Sequence, residues 1–268
     1  MRVVSLGDLA LDVVVRMRAP LARGADTASN VTLAAGGQGA NVAAWAAALG
    51  AEARWLGKRA ADGAGRLAGE ELERRGVELV GPVAETGNGI VVSLVEDGGE
   101  RSMFPDRGVA TGLRPDELEP AWLACDHLHV SGYALVADPV ASAAARAVEL
   151  ARAQGARVSI DLSSWSAIRD HGAASFRDLV ASLAPDVVFA NEDEEEMFGG
   201  RLAGAVWILK RGAQGCSFDG DERAALPVES VLDTTGAGDA LAAGWIVGGA
   251  DLALEAAARC VQRAGAMP

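Results

Sequence analysis

Over its 268 residues the chain sets 37 acidic against 24 basic side chains, a formal charge of −13, and such a surface repels nucleic-acid phosphates over long range, which argues against a polynucleotide partner. The length suffices for a substantial core without staples, and Cys125, Cys216 and Cys260 lie far apart with no C-x-x-C pair, which suggests neither a disulfide framework nor a cysteine zinc site. Asp8 and Asp12 interrupt the N-terminal apolar run, and no uncharged apolar stretch approaches the roughly 18 residues of a membrane span, so a soluble, cytoplasmic protein with no membrane partner is expected.

Residues 2–6 form a short β-branched run, the expected buried first strand of a parallel sheet, and 13–15 continue as extended chain beyond Asp12. Residues 31–35 predict a strand that leads into Gly36-Gly37-Gln38-Gly39-Ala40-Asn41, and 38–49 a helix stopped by Gly50. Gly37-x-Gly39 begins like a dinucleotide fingerprint, but Val42 stands where the third glycine belongs. Residues 53–57 read as a strand and 62–75 as a helix ending at Gly76. Residues 90–95 and 101–104 read as a hairpin about Asp97-Gly98-Gly99-Glu100. Arg101 and Arg107, on or just past it, are either substrate contacts or solvated surface arginines.

Cys125, His127 and His129 alternate along a predicted strand and share one face, but three ligands from one strand do not wrap an ion tetrahedrally, so the segment reads as sheet rather than metal site. Residues 138–154 predict a helix with Asp138 as N-cap, Pro139 at its first position and Gly155 after its end. A strand over 157–160 puts Asp161 at its carboxyl end, a helix follows at 176–183 and a strand at 186–190, a rhythm of parallel sheet with helices on both faces. The acidic run 192–196 suits a helix N-terminus, with Asn191 and Glu194 one turn apart, and 197–205 reads as a short glycine-containing link. A strand over 205–209 ends at Lys210, one of only two lysines, ahead of the turn Gly212 to Gly215; 216–218 and 223–226 form a hairpin around Asp219-Gly220-Asp221.

After a β-like run at 227–232 comes Asp233-Thr234-Thr235-Gly236-Ala237-Gly238-Asp239-Ala240, then helical patterns at 241–247 and 250–264. A Gly-x-Gly turn ahead of a helix aims unpaired N–H groups at one point on the positive end of the dipole, an anion hole. Asp239 beside it is placed to take a proton from an attacking hydroxyl. Taken alone, Gly-Ala-Gly before a helix is also common punctuation. No Walker A sequence occurs, which excludes a P-loop NTPase.

The octet resembles the C-terminal signature of the ribokinase family, the PfkB-type carbohydrate kinases, and Gly36 to Asn41 resembles that family's N-terminal sugar-binding motif. The resemblance covers essentially the whole chain. It implies a ribokinase-like α/β fold, a doubly wound, mostly parallel sheet flanked by helices on both faces, in one domain spanning 1–268, with a small β-sheet lid from about 12–35 and 88–106. It implies a cytoplasmic, ATP-dependent phosphotransferase acting on a hydroxyl of a small sugar, with ATP and Mg²⁺ as cofactors and K⁺ in some members; the exposed sheet edge of such a lid invites a homodimer. By the same resemblance Asp239 is the base and Gly236, Ala237 and Gly238 the anion hole. Asp12, Gly36, Gly37, Asn41 and Arg101 are assigned to substrate, Asn191, Lys210, Gly212 and Gly215 to nucleotide, and Glu194 to Mg²⁺ through water. Asp233 and Thr235 correspond to a monovalent-cation site. The alternatives are a nucleoside kinase of the same family and a catalytically weak sugar- or nucleotide-sensing protein.

Overall fold

The computed structural model describes residues 1–96 and 101–268, with every side chain in them except that of Arg101. Its first part runs β1 (Arg2–Leu6), β2 (Ala10–Met17), β3 (Ser29–Gly36), α1 (Gln38–Ala48), β4 (Glu52–Leu56), β5 (Arg59–Ala60), α2 (Gly63–Arg74), β6 (Glu78–Val80), β7 (Val83–Ala84), β8 (Gly89–Val95) and β9 (Arg101–Asp106). The second runs β10 (His127–Ser131), α3 (Val140–Arg152), β11 (Arg157–Asp161), α4 (Trp165–His171), α5 (Ala173–Ser182), β12 (Val187–Asn191), α6 (Glu192–Phe198), β13 (Val206–Lys210), β14 (Cys216–Phe218), β15 (Asp221–Arg223), α7 (Ala237–Gly248) and α8 (Ala250–Val261). The turn expected at 97–100 lies outside the described residues. No helix among the described residues is long and apolar enough to cross a membrane.

Nine strands form one sheet in the order β15-β14-β13-β12-β11-β10-β1-β4-β6, parallel from β13 to β6 and antiparallel at the β13–β14 and β14–β15 pairs. Side chains alternate across a pleat, so neighbours in one strand serve opposite cores. Val4 and Leu6 join Val130, Ile160, Val188 and Trp207 beneath α3 and α5. Val3 joins Trp55, Phe189 and Ile208 beneath α1, α7 and α8. Helices on both faces explain why β12 and β13 read as near-continuous apolar runs. A separate four-stranded sheet, ordered β3-β2-β8-β9, stands beside the large one.

Several boundaries differ from expectation. Residues 227–232 form no strand; the Leu232 and Asp233 N–H groups donate instead to the Val261 carbonyl (2.8 and 3.3 Å), tying the segment to the end of α8. α7 starts at Ala237, not 241, because Gly236 takes a left-handed φ of 77° as N-cap, so Gly238 and Asp239 sit inside the first turn. β15 occupies Asp221–Arg223, since the two-residue turn Asp219-Gly220, with φ of 55° and 97°, closes the hairpin early. α3 begins at Val140 with Pro139 as N-cap; Asp138, one residue further out, accepts from the Ser142 N–H (3.1 Å) and hydroxyl (2.6 Å). α4, unexpected from sequence, is capped by Ser164, whose hydroxyl accepts from the Ala167 N–H. The link after Glu196 holds the last turn of the seven-residue α6, which Gly199 ends in the left-handed conformation.

In β10 the buried rings of His127 and His129 both meet the Ser159 hydroxyl, at 2.8 and 2.9 Å. Burial holds the His127 pKa down to about 3 and that of His129 to about 4, against an ordinary 6.5. Native values below the unfolded one mean that the unfolded chain takes up protons first as pH falls, so stability is lost from about pH 6.5 downward and the loss levels off near the native values. Urea midpoints at pH 7 and 4.5 should show this drop, and His127→Gln should flatten the slope.

Candidate functional site

The glycine-rich turn between β3 and α1 is held by backbone contact. Gly37 has φ 96°, and a Cβ there would lie 2.4 Å from the Asp8 carbonyl oxygen; at Gly39 it would lie 2.7 Å from the Gly7 Cα. Only glycine lets α1 start against the end of β1. That start turns Gln38 and Asn41 into a cavity of about 450 Å³ bounded also by the small sheet and α7. Gly37→Ala is therefore expected to cost about 1–3 kcal/mol, read as a lower thermal midpoint together with a raised acceptor KM.

Asn41, buried, donates from Nδ2 to Asp239 Oδ2 at 2.7 Å. Gln38 Oε1 accepts from the hydroxyls of Ser131 and Ser163. Asp12, on β2, lines the same cavity, and burial raises its pKa to about 6. Gly36 packs on it so closely that a Cβ would lie 2.2 Å from Asp12 Oδ2. Arg107 is no solvated surface arginine: its Nε and Nη2 donate to the two oxygens of Asp8 at 2.6 and 2.8 Å, and its guanidinium lies 5.7 Å from the centre of the Tyr133 ring. The Arg101 side chain lies outside the described residues, so its assignment stays an expectation.

A second cavity, of about 590 Å³, opens on the other side of the α7 start. Gly212 and Gly215 line it with Leu226 and Val231, opposite an α8 stripe that includes Leu254 and Val261. Among the described residues no charged side chain lines it. The first turn of α7 thus borders both cavities, Thr235 and Asp239 facing the first and Thr234, Ala237 and Gly238 the second. Of the three N–H groups expected to form the anion hole, that of Ala237 donates to the Thr234 carbonyl at 3.3 Å. Gly236 packs under Ala266, where a Cβ would meet the carbonyl oxygen at 2.6 Å. Asp233 shapes the loop through backbone bonds, Oδ1 accepting from Thr235 N–H (2.8 Å) and Oδ2 from Gly265 N–H (3.2 Å).

Burial raises the Asp239 pKa to about 7, against the lowering influence of the Asn41 bond; Asp161 adds to the rise and Lys210 opposes it. Lys210, expected as a counter-charge for phosphates, is engaged: its Nζ donates to the fully buried Asp161 at 2.7 Å. Burial pulls the Lys210 pKa down, but Asp161 and Glu194 override it and hold the ammonium charged. The pair lies beneath α7, where a Cβ on Gly238 would sit 3.4 Å from Nζ. Asn191 and Glu194 form the capping box of α6: Glu194 N–H donates to Asn191 Oδ1, and the two Glu194 oxygens accept from Asn191 N–H and Nδ2, all at 2.8–2.9 Å. Burial raises the Glu194 pKa, and Lys210 opposes the rise. Among the described residues no three His, Cys, Asp or Glu side chains gather as a metal cage. A hydrated Mg²⁺ needs none, since it takes one or two carboxylates and the substrate's phosphates.

Sequence reasoning passed over Gln38, although it stands inside the first glycine motif, and it read Asp8 only as an interruption of the N-terminal apolar run. It also missed the apolar wall of the second cavity, whose signal is the helical stripe Leu254, Ala257, Ala258 and Val261 on α8.

Residues 1–267 match the sequence pattern of the pfkB family carbohydrate kinases. The chain belongs to this family. Among its relatives, an ATP-dependent ribose-1-phosphate kinase of Halopiger xanaduensis is 33% identical over 97% of this chain and 90% of that protein. Fructokinase-1 of Oryza sativa subsp. japonica is 31% identical over 89% and 80%. Adenosine kinase from Sinorhizobium meliloti superposes with a TM-score of 0.87 at 23% identity, covering 99% of this chain and 95% of that one. A putative ribokinase II from E. coli in complex with ATP and Mg²⁺ gives 0.84 at 21%, covering 99% and 94%. These superpositions confirm the ribokinase-like α/β fold. The pfkB kinase described here is thus a phosphotransferase with a sugar-kinase fold over its whole length.

Proposed function

We propose that the chain transfers the γ-phosphoryl group of ATP to a hydroxyl of a small sugar or sugar-like acceptor, with Asp239 as the base. The observation that carries this reading is the single helix start shared by two cavities, one carrying the carboxylates of Asp8, Asp12, Asp106 and Asp239 on its wall, the other lined among the described residues by no charged side chain. An acceptor in the first would meet a nucleotide in the second across Gly236 to Asp239. The transition state of phosphoryl transfer is loose, so the protein's work is positioning and charge stabilisation.

Asp12, Gly36, Gly37 and Asn41 would hold the acceptor, with Arg101 at the far end of β9. Asp239 would take the hydroxyl proton while the Asn41 amide fixes its carboxylate. The N–H groups of Gly236 and Gly238 would face the phosphoryl oxygens, each well-placed donor being worth about 3–4 kcal/mol. Gly212 and Gly215 would admit the base, while Lys210 and Asn191 would act from below, setting the charge around Asp239 and the start of α6. Glu194 would hold a Mg²⁺ ion through water, and the ion would supply neutralisation of phosphate charge. A monovalent cation such as K⁺ at the Asp233–Thr235 loop belongs to the same reading. So does a single-domain organisation in which the small sheet acts as a lid and mediates a homodimer through its exposed Val31, Leu33 and Phe104.

A nucleoside acceptor is the second reading, favoured by the apolar wall of Leu9, Val91, Met103 and Pro105 in the first cavity. Magnesium-dependent ADP release from ATP, measured over pentoses, hexoses, keto-sugar acids and nucleosides, tests both. One acceptor should raise the rate far above that of ATP alone; silence across the panel contradicts the kinase reading.

A further inference from the structure

Trp45 stands one turn after Asn41 on α1, so the two side chains share a face of that helix. Asn41 holds Asp239 directly, Nδ2 to Oδ2 at 2.7 Å. Trp45, wholly buried, reaches a different segment: its Nε1–H donates to the Ala266 carbonyl at 2.9 Å, across 221 positions of sequence.

Ala266 backs the α7 start. A Cβ on Gly236 would lie 2.6 Å from the Ala266 carbonyl oxygen and 2.7 Å from its Cα, so Gly236 packs on that peptide with no space between them for a side chain. The neighbouring Gly265 N–H donates to Asp233 Oδ2 at 3.2 Å, which ties the beginning of the same loop to the same segment. Among the described residues the one other donor toward the Ala266 carbonyl is the Cys260 thiol at 3.9 Å, and that thiol lies nearer the Thr235 carbonyl, at 3.4 Å. The indole therefore sets the direction of the Ala266 peptide.

We propose that Trp45 is a positioning residue for phosphoryl transfer, holding the Ala266 peptide behind Gly236 so that one face of α1 grips the α7 start twice. This rests on the reading above that Gly236 to Asp239 faces the transferred group. Asn41 grips the base, and Trp45, through Ala266, grips the N-cap of the same helix. The spacing between the Asp239 carboxylate and the N–H groups of Gly236 and Gly238 is thereby fixed from a single element. Transfer depends steeply on such spacing, since a misplacement of about 1 Å can cost about a hundredfold in rate. Nucleotide affinity does not depend on it, because neither Trp45 nor Ala266 lines the second cavity.

The test compares Trp45→Phe, which keeps an aromatic ring but has no N–H, with Trp207→Phe. Trp207 is equally buried, belongs to the opposite core, and its indole N–H has no hydrogen-bond partner among the described residues. Both variants should lower the thermal midpoint. Only Trp45→Phe should slow transfer, by about tenfold in single turnovers at saturating MgATP and acceptor, with the KM for MgATP as in wild type. A wild-type rate in Trp45→Phe, an equal slowing in Trp207→Phe, or a loss confined to the KM for MgATP overturns the inference and leaves the kinase reading standing. A second measurement depends on no variant: in ¹⁵N-labelled wild type the Trp45 indole resonance should shift when the Mg²⁺ complex of β,γ-imido-ATP binds, and a resonance that stays in place overturns the inference. If the wild type transfers phosphoryl to no acceptor, the kinase reading fails, and the same resonance still decides whether Trp45 is coupled to the α7 start: movement supports the coupling and stillness overturns it.

Discussion

Asp239→Asn is expected to lower kcat by about 10²–10⁴-fold, the usual contribution of a general base, with little loss of fold. Asparagine keeps the shape and can still bond to Asn41, but it accepts no proton. Burial places the Asp239 pKa at about 7, so the wild-type rate should climb with pH through that value and level off above it, because only the carboxylate form serves as base. The variant should lose that inflection along with its rate. Stability should not suffer. A carboxyl whose native pKa lies above its ordinary 3.8 destabilises the native state progressively from about pH 4 to pH 7, as the unfolded chain ionises first. Asparagine removes that cost, so a thermal midpoint at or above wild type at pH 7.5, together with a crippled rate, separates a chemical role from a structural one.

The largest stability effect is expected at Lys210. Its side chain is 14% exposed and that of Asp161 0%, with 2.7 Å between Nζ and Oδ2. Lys210→Met leaves Asp161 charged and buried without its partner, a change that typically costs about 3–5 kcal/mol. Urea denaturation of Lys210→Met, Asp161→Asn and the double variant forms the cycle that checks it. The double variant should recover much of the loss, because the neutral amide no longer needs a cation. Lys210 also lowers the Asp239 pKa across the α7 start. Where Lys210→Met remains folded, its rate profile should therefore shift to higher pH than wild type.

What the sequence made legible were features that depend on local backbone. Gly36 to Asn41 and Asp233 to Ala240 signal themselves because a helix start against another backbone admits only glycine at Gly37 and Gly236. The strands 2–6 and 157–160 were readable because burial on both faces leaves short β-branched runs, interrupted after the leading arginine only by the small Ser5 and Ser159. What escaped were pairings over distance. Asp8 meets Arg107 across 99 positions, and Lys210 meets Asp161 across 49. Nothing local to Arg107 tells a solvated arginine from one fixed by a carboxylate. The run 227–232 misled for the opposite reason: its β-branched residues suit a strand, but its last N–H groups are taken by the Val261 carbonyl, so tertiary contact overrode propensity. The α7 start was placed four residues late because apolarity was followed instead of the left-handed Gly236 that permits the helix to begin.

The most direct test of phosphoryl transfer to an acceptor hydroxyl is ³¹P NMR of the enzyme with MgATP and the acceptor that best stimulates ADP release. The account predicts a new phosphomonoester resonance that grows in step with ADP and is nearly absent with Asp239→Asn. Inorganic phosphate growing in its place, or an undiminished ester signal from the variant, would contradict it.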